Sequence, residues 1–266
     1  MIAEKAEKLD RFFSTFTSGT KALLLLDYDG TLAPFRVDRF KARPWTGVRE
    51  LLTRIQNQGL TRIVVVTGRP AAEIAPLLGL ASPLEVWGLH GAERLHADGR
   101  HELEQLQPIT QAKLDALCAE LRRDSLGGVF EAKPNAAVMH WRGVPQGKAK
   151  EVEKRTRAMF EPLAKMDGLT LLEFDCGLEL RAGPEKGAAV QKLLGEISDS
   201  GPHPAAFLGD DMTDEAGFLA MKGHGLSALV RREGRETAAD VWLRPPGELR
   251  DFLKQWLRAC CAPSSN

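Results

Sequence analysis

Three short apolar runs organise the chain: Ala22 to Leu26, Ile63 to Val66 and Ala205 to Leu208. None alternates with polar positions, which is the pattern of strands covered on both faces of a parallel sheet. Each ends in small or polar residues: Asp27-Tyr28-Asp29-Gly30, Thr67-Gly68-Arg69 and Gly209-Asp210-Asp211. Between the first two runs, Val48, Leu51, Leu52 and Ile55 recur at helical spacing, with Gly59 beyond them as a stop. Gly187 to Ile197 reads as another helix ahead of the third run. Strand and helix in this succession predict βαβ units and a Rossmann-like α/β core built on a parallel sheet. In such sheets ligands bind beyond the carboxyl ends of the strands, so the polar residues after all three runs are expected to meet in space.

The middle of the chain has a different rhythm. Leu114, Leu117, Cys118 and Leu121 mark one amphipathic helix, and Val152, Met159 and Leu163 a weaker one. Between them lie two strand-like segments, Val129 to Lys133 and Ala136 to Arg142, joined through Pro134-Asn135. Two more follow, Thr170 to Phe174 and Leu178 to Arg181, joined through Asp175-Cys176-Gly177. These read as antiparallel pairs with one polar face. Leu172, Phe174, Leu178 and Leu180 are expected to pack on the helices, leaving Glu173, Glu179 and Arg181 opposite. Residues 107–182 are therefore predicted to form an α/β cap inserted into a core made of residues 1–106 and 183–266. Hinges are expected near Gln107-Pro108 and Ala182-Gly183-Pro184, and the tail 262–266 is expected to fray.

Composition narrows the function classes. Lysine plus arginine equals aspartate plus glutamate at 36 each, so a general nucleic-acid or membrane-surface role is disfavoured. No apolar run approaches the roughly 20 residues that span a bilayer. The four cysteines (118, 176, 260, 261) show neither paired zinc spacing nor a disulfide framework. Residues 1–11 are charged and lack an apolar leader, so a cytoplasmic protein acting on a small molecule is expected.

The candidate chemistry sits at the strand ends. Alternate residues of an extended segment point to one side, so Asp27 and Asp29 can serve one pocket; the same residues also fit a plain Asp-Gly turn. Asp27 and Asp210 suit Mg²⁺, a hard cation that takes oxygen ligands, with the backbone carbonyl of Asp29 as a further ligand. Lys186, opening a helix, suits holding both a phosphate oxygen and the nucleophile. Thr67 can donate its hydroxyl to another phosphate oxygen. Asp29 then takes the acid–base role, while Asp27 stays ionised as nucleophile. Singly, Asp210 and Asp211 also read as loop or cap acids, Lys186 as a surface lysine and His90 as a structural histidine.

Taken together, Asp27-Tyr28-Asp29-Gly30-Thr31-Leu32, Thr67-Gly68-Arg69, Lys186-Gly187 and Gly209-Asp210-Asp211-Met212-Thr213-Asp214-Glu215 resemble the four ordered motifs of the haloacid dehalogenase-like phosphatases. Leu89-His90-Gly91-Ala92-Glu93, Glu131-Ala132-Lys133, His140-Trp141-Arg142 and Leu178-Glu179-Leu180-Arg181 look like those of the trehalose-6-phosphate phosphatases within that superfamily. The resemblance implies a haloacid dehalogenase-like core with a cap, and Mg²⁺-dependent hydrolysis of trehalose 6-phosphate through an aspartyl-phosphate. It implies Asp27 as nucleophile, Asp29 as acid/base and a metal held by Asp27, Asp29 and Asp210, with Asp211 and Asp214 beside them. Phosphate contacts fall to Asp27, Thr67, Gly68 and Lys186, and substrate contacts to Glu131, Lys133, Arg142, Glu179 and His90. A phosphatase for sucrose 6-phosphate or a mannosyl phosphate ester, or a sugar phosphomutase, is the alternative.

Overall fold

The computed structural model describes residues 2–17, 19–36, 38–174, 176–198 and 203–261. Asp175 of the expected 175–177 connection and the tail 262–266 lie outside the described residues. The chain runs α1 (Ile2–Phe13), β1 (Ala22–Leu26), α2 (Val48–Asn57), β2 (Thr61–Val66), α3 (Ile74–Leu78), β3 (Glu85–Gly88), β4 (Glu93–Leu95) and β5 (His101–Leu103). Next come α4 (Pro108–Arg123), β6 (Val129–Lys133), β7 (Ala136–His140), α5 (Gln146–Ala164), β8 (Leu169–Phe174) and β9 (Gly177–Ala182). It closes with α6 (Lys186–Ser198), β10 (Ala205–Gly209), α7 (Glu215–Ala220), β11 (Leu226–Val230), β12 (Val241–Leu243) and α8 (Gly247–Cys261). Two compact units result: Leu103–Gly183, and the chain on either side of it. None of the described helices is long and apolar enough to cross a membrane.

The outer parts of the chain form an eight-stranded sheet in the order β12-β11-β10-β1-β2-β3-β4-β5. From β12 to β3 all neighbours are parallel, and β4 turns back antiparallel to β3. Alternate residues of β1 feed different cores. Leu24 and Leu26 join Phe13, Leu52, Leu253 and Trp256 on one face, and Leu23 and Leu25 join Val190, Leu193, Phe207 and Phe218 on the other. Double burial is why the run cannot alternate: a polar residue at any of these positions would lose roughly 2 kcal/mol of apolar burial and be left facing a core. Leu26 pairs with Leu208 of β10 and with Val65 of β2. Asp27, Gly209-Asp210 and Val66-Thr67 therefore leave the sheet at one edge. β1 is the strand from which the chain order departs in both directions, the switch point at which open α/β sheets hold ligands.

The inserted unit is an antiparallel sheet ordered β6-β7-β9-β8. Leu114, Leu121, Val152 and Phe160 of α4 and α5 pack with Ala137, Met139, Leu178 and Leu180. The expected facing of β8 is wrong by one residue. Phe174 lies opposite Gly177, so Leu171 faces Leu180 while Leu172 faces Glu179. A one-residue change in register moves every side chain to the other face. Glu173 is thus on the helix side, where Arg157 of α5 donates to it at 2.8 Å. Phe174 is on the polar side, its ring 5.3 Å from that of His140. β7 also stops at His140, and Arg142 lies in the turn closed by the Val144 N–H on the Trp141 carbonyl at 3.1 Å.

Candidate active site

Asp27 follows the last residue of β1 and is 3% exposed. Its Oδ1 accepts from Lys186 Nζ at 2.6 Å and its Oδ2 from the Thr31 hydroxyl at 3.2 Å. Lys186 is as deeply buried and also donates to Asp214 Oδ1 at 2.7 Å. The other Asp214 oxygen accepts the backbone N–H groups of Asp210 and Asp211 at 2.9 and 3.0 Å. Asp214 is thus fully engaged in anchoring Lys186 and the loop after β10. Asp210 contrasts with it: the side chain is buried, and its Oδ1 has no hydrogen-bond partner among the described residues.

These groups perturb one another strongly. Burial pushes the Asp27 carboxyl up to about 7; Asp214 and Asp29 add to the rise and Lys186 opposes it. Burial likewise raises Asp210 well above the usual carboxylate range, with Asp27 and Asp214 reinforcing it. Burial alone would lower Lys186, but Asp214 and Asp27 reverse that and hold the ammonium charged. One oxygen each from Asp27, Asp210 and Asp214 lie within 4.8 Å of one another. Three carboxylates against one ammonium leave an excess of two negative charges in a desolvated place, and one buried oxygen stands without a donor. That donor set fits a hard divalent cation. Asp214, expected beside the metal, joins Asp27 and Asp210 in this side-chain cluster.

Both Asp29 oxygens are taken by Arg69, Nε to Oδ2 at 2.5 Å and Nη2 to Oδ1 at 2.6 Å. Arg69 lies over the Tyr28 ring, and its Nη1 donates to the Arg39 carbonyl at 3.0 Å. Gly30 makes this crowding workable. It sits at φ 82°, and a Cβ there would collide with the Asp210 carboxylate. Thr67 is buried at the end of β2; its Oγ accepts from the Arg69 N–H at 3.2 Å, which leaves its own O–H to donate. Gly68 follows, and the His90 ring occupies the space a Cβ at Gly68 would need. His90 itself is buried and tied to the Thr67 carbonyl at 2.9 Å, so it packs beside the Thr67-Gly68 turn. Asp211 caps the turn Met212–Asp214, its Oδ1 accepting from the Met212 N–H at 2.7 Å. Glu215 anchors a later loop, accepting from Arg235, from the Thr237 hydroxyl at 2.8 Å and from the Ala238 N–H at 2.7 Å.

The remaining predicted contacts lie in the inserted unit. On one face of its sheet Lys133 and Glu179 form a buried pair at 2.9 Å, and His140 lies 3.2 Å from Glu131. Arg142 follows two residues beyond the end of β7. Thr31 and Arg69 are site residues that sequence reasoning passed over. The signals were present: Thr31 is four residues after Asp27, and Arg69 lies inside the Thr67-Gly68-Arg69 motif.

Comparison with known proteins agrees with this geometry. The trehalose-phosphatase family model matches residues 25–240. The trehalose-phosphate phosphatase of Mycobacterium marinum is 28% identical over 242 residues, covering 86% of this chain and 60% of that protein. The chain thus spans about three-fifths of the length of that curated relative. A crystal structure of a trehalose-6-phosphate phosphatase related protein superposes with a TM-score of 0.71 at 26% identity, covering 89% of this chain and 97% of that one. A haloacid dehalogenase-like hydrolase from Bacteroides thetaiotaomicron shares the fold with a TM-score of 0.64 at 18% identity, over 89% of this chain and all of that one. With the family match running from β1 to the residue before β12, the chain belongs to the trehalose-phosphatase family.

Proposed function

We propose that the protein hydrolyses trehalose 6-phosphate to trehalose and phosphate, with Mg²⁺, through a phosphorylated Asp27. The observation that carries this reading is the oriented Asp27 carboxylate, gripped by Lys186 and Thr31 beside the partnerless Asp210 oxygen. Phosphoryl transfer is chiefly positioning and charge neutralisation. Lys186 and Thr67 hold phosphate oxygens, and Lys186 at the same time fixes the nucleophile. An Asp27 oxygen bonds to phosphorus as the phosphorus–sugar oxygen bond breaks, its electron pair staying on the sugar oxygen. That oxygen takes a proton from Asp29. Asp29 then accepts a proton from water as the water oxygen bonds to phosphorus, and the bond to Asp27 breaks to free phosphate.

Asp27 and Asp210 would hold Mg²⁺, with the Asp29 carbonyl as a further ligand and Asp211 and Asp214 beside it. Bound there, the cation offsets repulsion between the carboxylate nucleophile and the phosphate and favours the ionised form of Asp27. Glu131, Lys133, Arg142 and Glu179 would select the sugar, since charged groups bind a hydroxyl-rich disaccharide that offers little apolar surface. His90 would act from the Thr67-Gly68 turn. Phosphate release by the purified protein, with and without Mg²⁺, across trehalose, sucrose, mannosyl and monosaccharide phosphates tests the assignment. Mg²⁺-dependent release from trehalose 6-phosphate in clear preference to the others is expected. Comparable turnover of unrelated sugar phosphates overturns the substrate, and a mutase would release little free phosphate.

A further inference from the structure

Asp29, the proposed acid/base, is held through both of its oxygens by one guanidinium. Each oxygen keeps a further lone pair beyond its Arg69 bond, so the pair fixes the direction of the carboxyl and still leaves room for a sugar oxygen or a water. The two partners are unequally able to move.

Arg69 is the fixed one. Its side chain is 7% exposed against 27% for Asp29. Its backbone N–H is tied to Thr67 Oγ, and the Leu89 N–H holds its carbonyl at 3.0 Å. Two residues on, the Ala71 N–H is clamped at 2.6 Å by Glu93, a buried carboxylate. The guanidinium is fixed on its far side by the Arg39 carbonyl at 3.0 Å and lies 3.5 Å from Glu73, which itself accepts from Arg39 at 2.6 Å. Glu73 is thus a second carboxylate that helps keep the buried guanidinium in place.

We infer that Arg69 is a positioning residue: the fixed guanidinium holds the Asp29 carboxyl in one orientation through both oxygens, so that one of them is presented to the scissile oxygen. This rests on the reading of Asp29 as the acid/base. In the first half-reaction the bond from Asp27 to phosphorus forms and the ester bond breaks onto the sugar oxygen, which takes the Asp29 proton. A sugar alkoxide needs that proton. p-Nitrophenolate, stable as an anion, does not. A residue acting only through Asp29 therefore matters for the sugar ester and hardly at all for the aryl ester.

The test follows release of the leaving group in a single turnover, with enzyme in excess and Mg²⁺ present, for trehalose 6-phosphate and p-nitrophenyl phosphate. Arg69→Met is expected to slow trehalose release about 100-fold and p-nitrophenol release by less than about 3-fold, in the range of one general-acid contribution. In an Asp29→Asn background the same change should slow trehalose release by no more than about 2-fold, because residues acting as a unit are not additive. Arg69→Lys keeps the charge without the two-pronged geometry. It should show the same selectivity with a smaller loss of about 10-fold, and it carries the test if Arg69→Met does not fold. Equal slowing of both esters, or full additivity with Asp29→Asn, overturns the positioning role. Wild-type trehalose release by Asp29→Asn alone would instead refute the acid/base assignment itself.

Discussion

The core unit and the inserted unit both carry pairs of opposite charges, but they hold them differently. In the core, Asp27 is fixed by two donors, Lys186 by two acceptors, and Asp214 by three donors. Asp27 follows β1, Asp214 closes the turn after β10 and Lys186 opens α6, so paired strand ends and a helix start bring them together. In the inserted unit, Lys133 and Glu179 form a buried pair across one sheet face, and the half-buried Glu131 and His140 pair on the same face. Glu131 and His140 come from the adjacent strands β6 and β7, whereas Lys133 and Glu179 meet from β6 and β9 with β7 between them, and a sugar hydroxyl can compete for the half-buried pair. Preorganised charge that does not rearrange suits the chemical step, which the proposed mechanism assigns to the core. Charge that can exchange its partners suits discrimination among substrates, which the same proposal assigns to the inserted unit.

Variants can break this comparison, and the largest effect should come from the nucleophile. Asp27→Asn should lower turnover of trehalose 6-phosphate and p-nitrophenyl phosphate alike by at least about 10³-fold, measured as phosphate release, since the amide is a poor nucleophile. Near-normal activity on either ester would remove Asp27 from the chemistry. Metal removal should act on the core alone. Raised carboxyl values for Asp27 and Asp210 mean that the metal-free protein loses stability as pH rises from the ordinary carboxylate range toward about 7. Mg²⁺ needs those groups ionised. At a fixed concentration of about 100 times its Kd at pH 8, it should therefore raise Tm by roughly 5–10 °C at pH 8 and by clearly less at pH 5. A Tm gain that shrinks with rising pH would contradict the carboxylate site.

Smaller effects sharpen the contrast. Glu179→Gln takes the carboxylate from the buried Lys133 ammonium and should cost about 1–3 kcal/mol in denaturant unfolding. No loss of stability would mean that the pair contributes nothing to folding. Glu215 offers the smallest change. Burial opposes its charge, but the Ala238 N–H, Thr237 and Arg235 hold its carboxyl below the usual range. A depressed value stabilises the fold above the unfolded-state pKa, and the benefit disappears as pH falls through the folded-state value. Glu215→Gln should thus cost about 1 kcal/mol at pH 7 and close to nothing in strong acid. A cost independent of pH would point to lost packing in place of lost charge.

The elements that could be read from the sequence were those with two-sided burial or strict helical spacing. β1 begins and ends where the apolar run does, and α2 carries the predicted Val48, Leu51, Leu52 and Ile55 on its buried face. The three polar strand ends do converge, because β1 is hydrogen-bonded on one side to β2 and on the other to β10. β8 was misread because its leucines and phenylalanine fall on both parities, and the chain connecting it to Gly177 decides which parity faces the helices. The strand was carried two residues too far, to Arg142, because nothing in Ala136 to Arg142 marks the stop at His140. The Asp29–Arg69 pair was beyond sequence reasoning for a different reason. Its partners are 40 residues apart, and their meeting depends on the turn after β1 approaching the one after β2.

The division of labour itself is best tested by one ratio, kcat/KM for trehalose 6-phosphate over kcat/KM for p-nitrophenyl phosphate, in the unaltered protein and in the Glu131→Ala/Arg142→Ala double variant. The account predicts that the ratio falls by about 10²-fold or more while the aryl ester is turned over within about 3-fold of the original rate. A parallel fall on both esters would contradict it, because the inserted unit would then be serving the chemical step and not the choice of sugar.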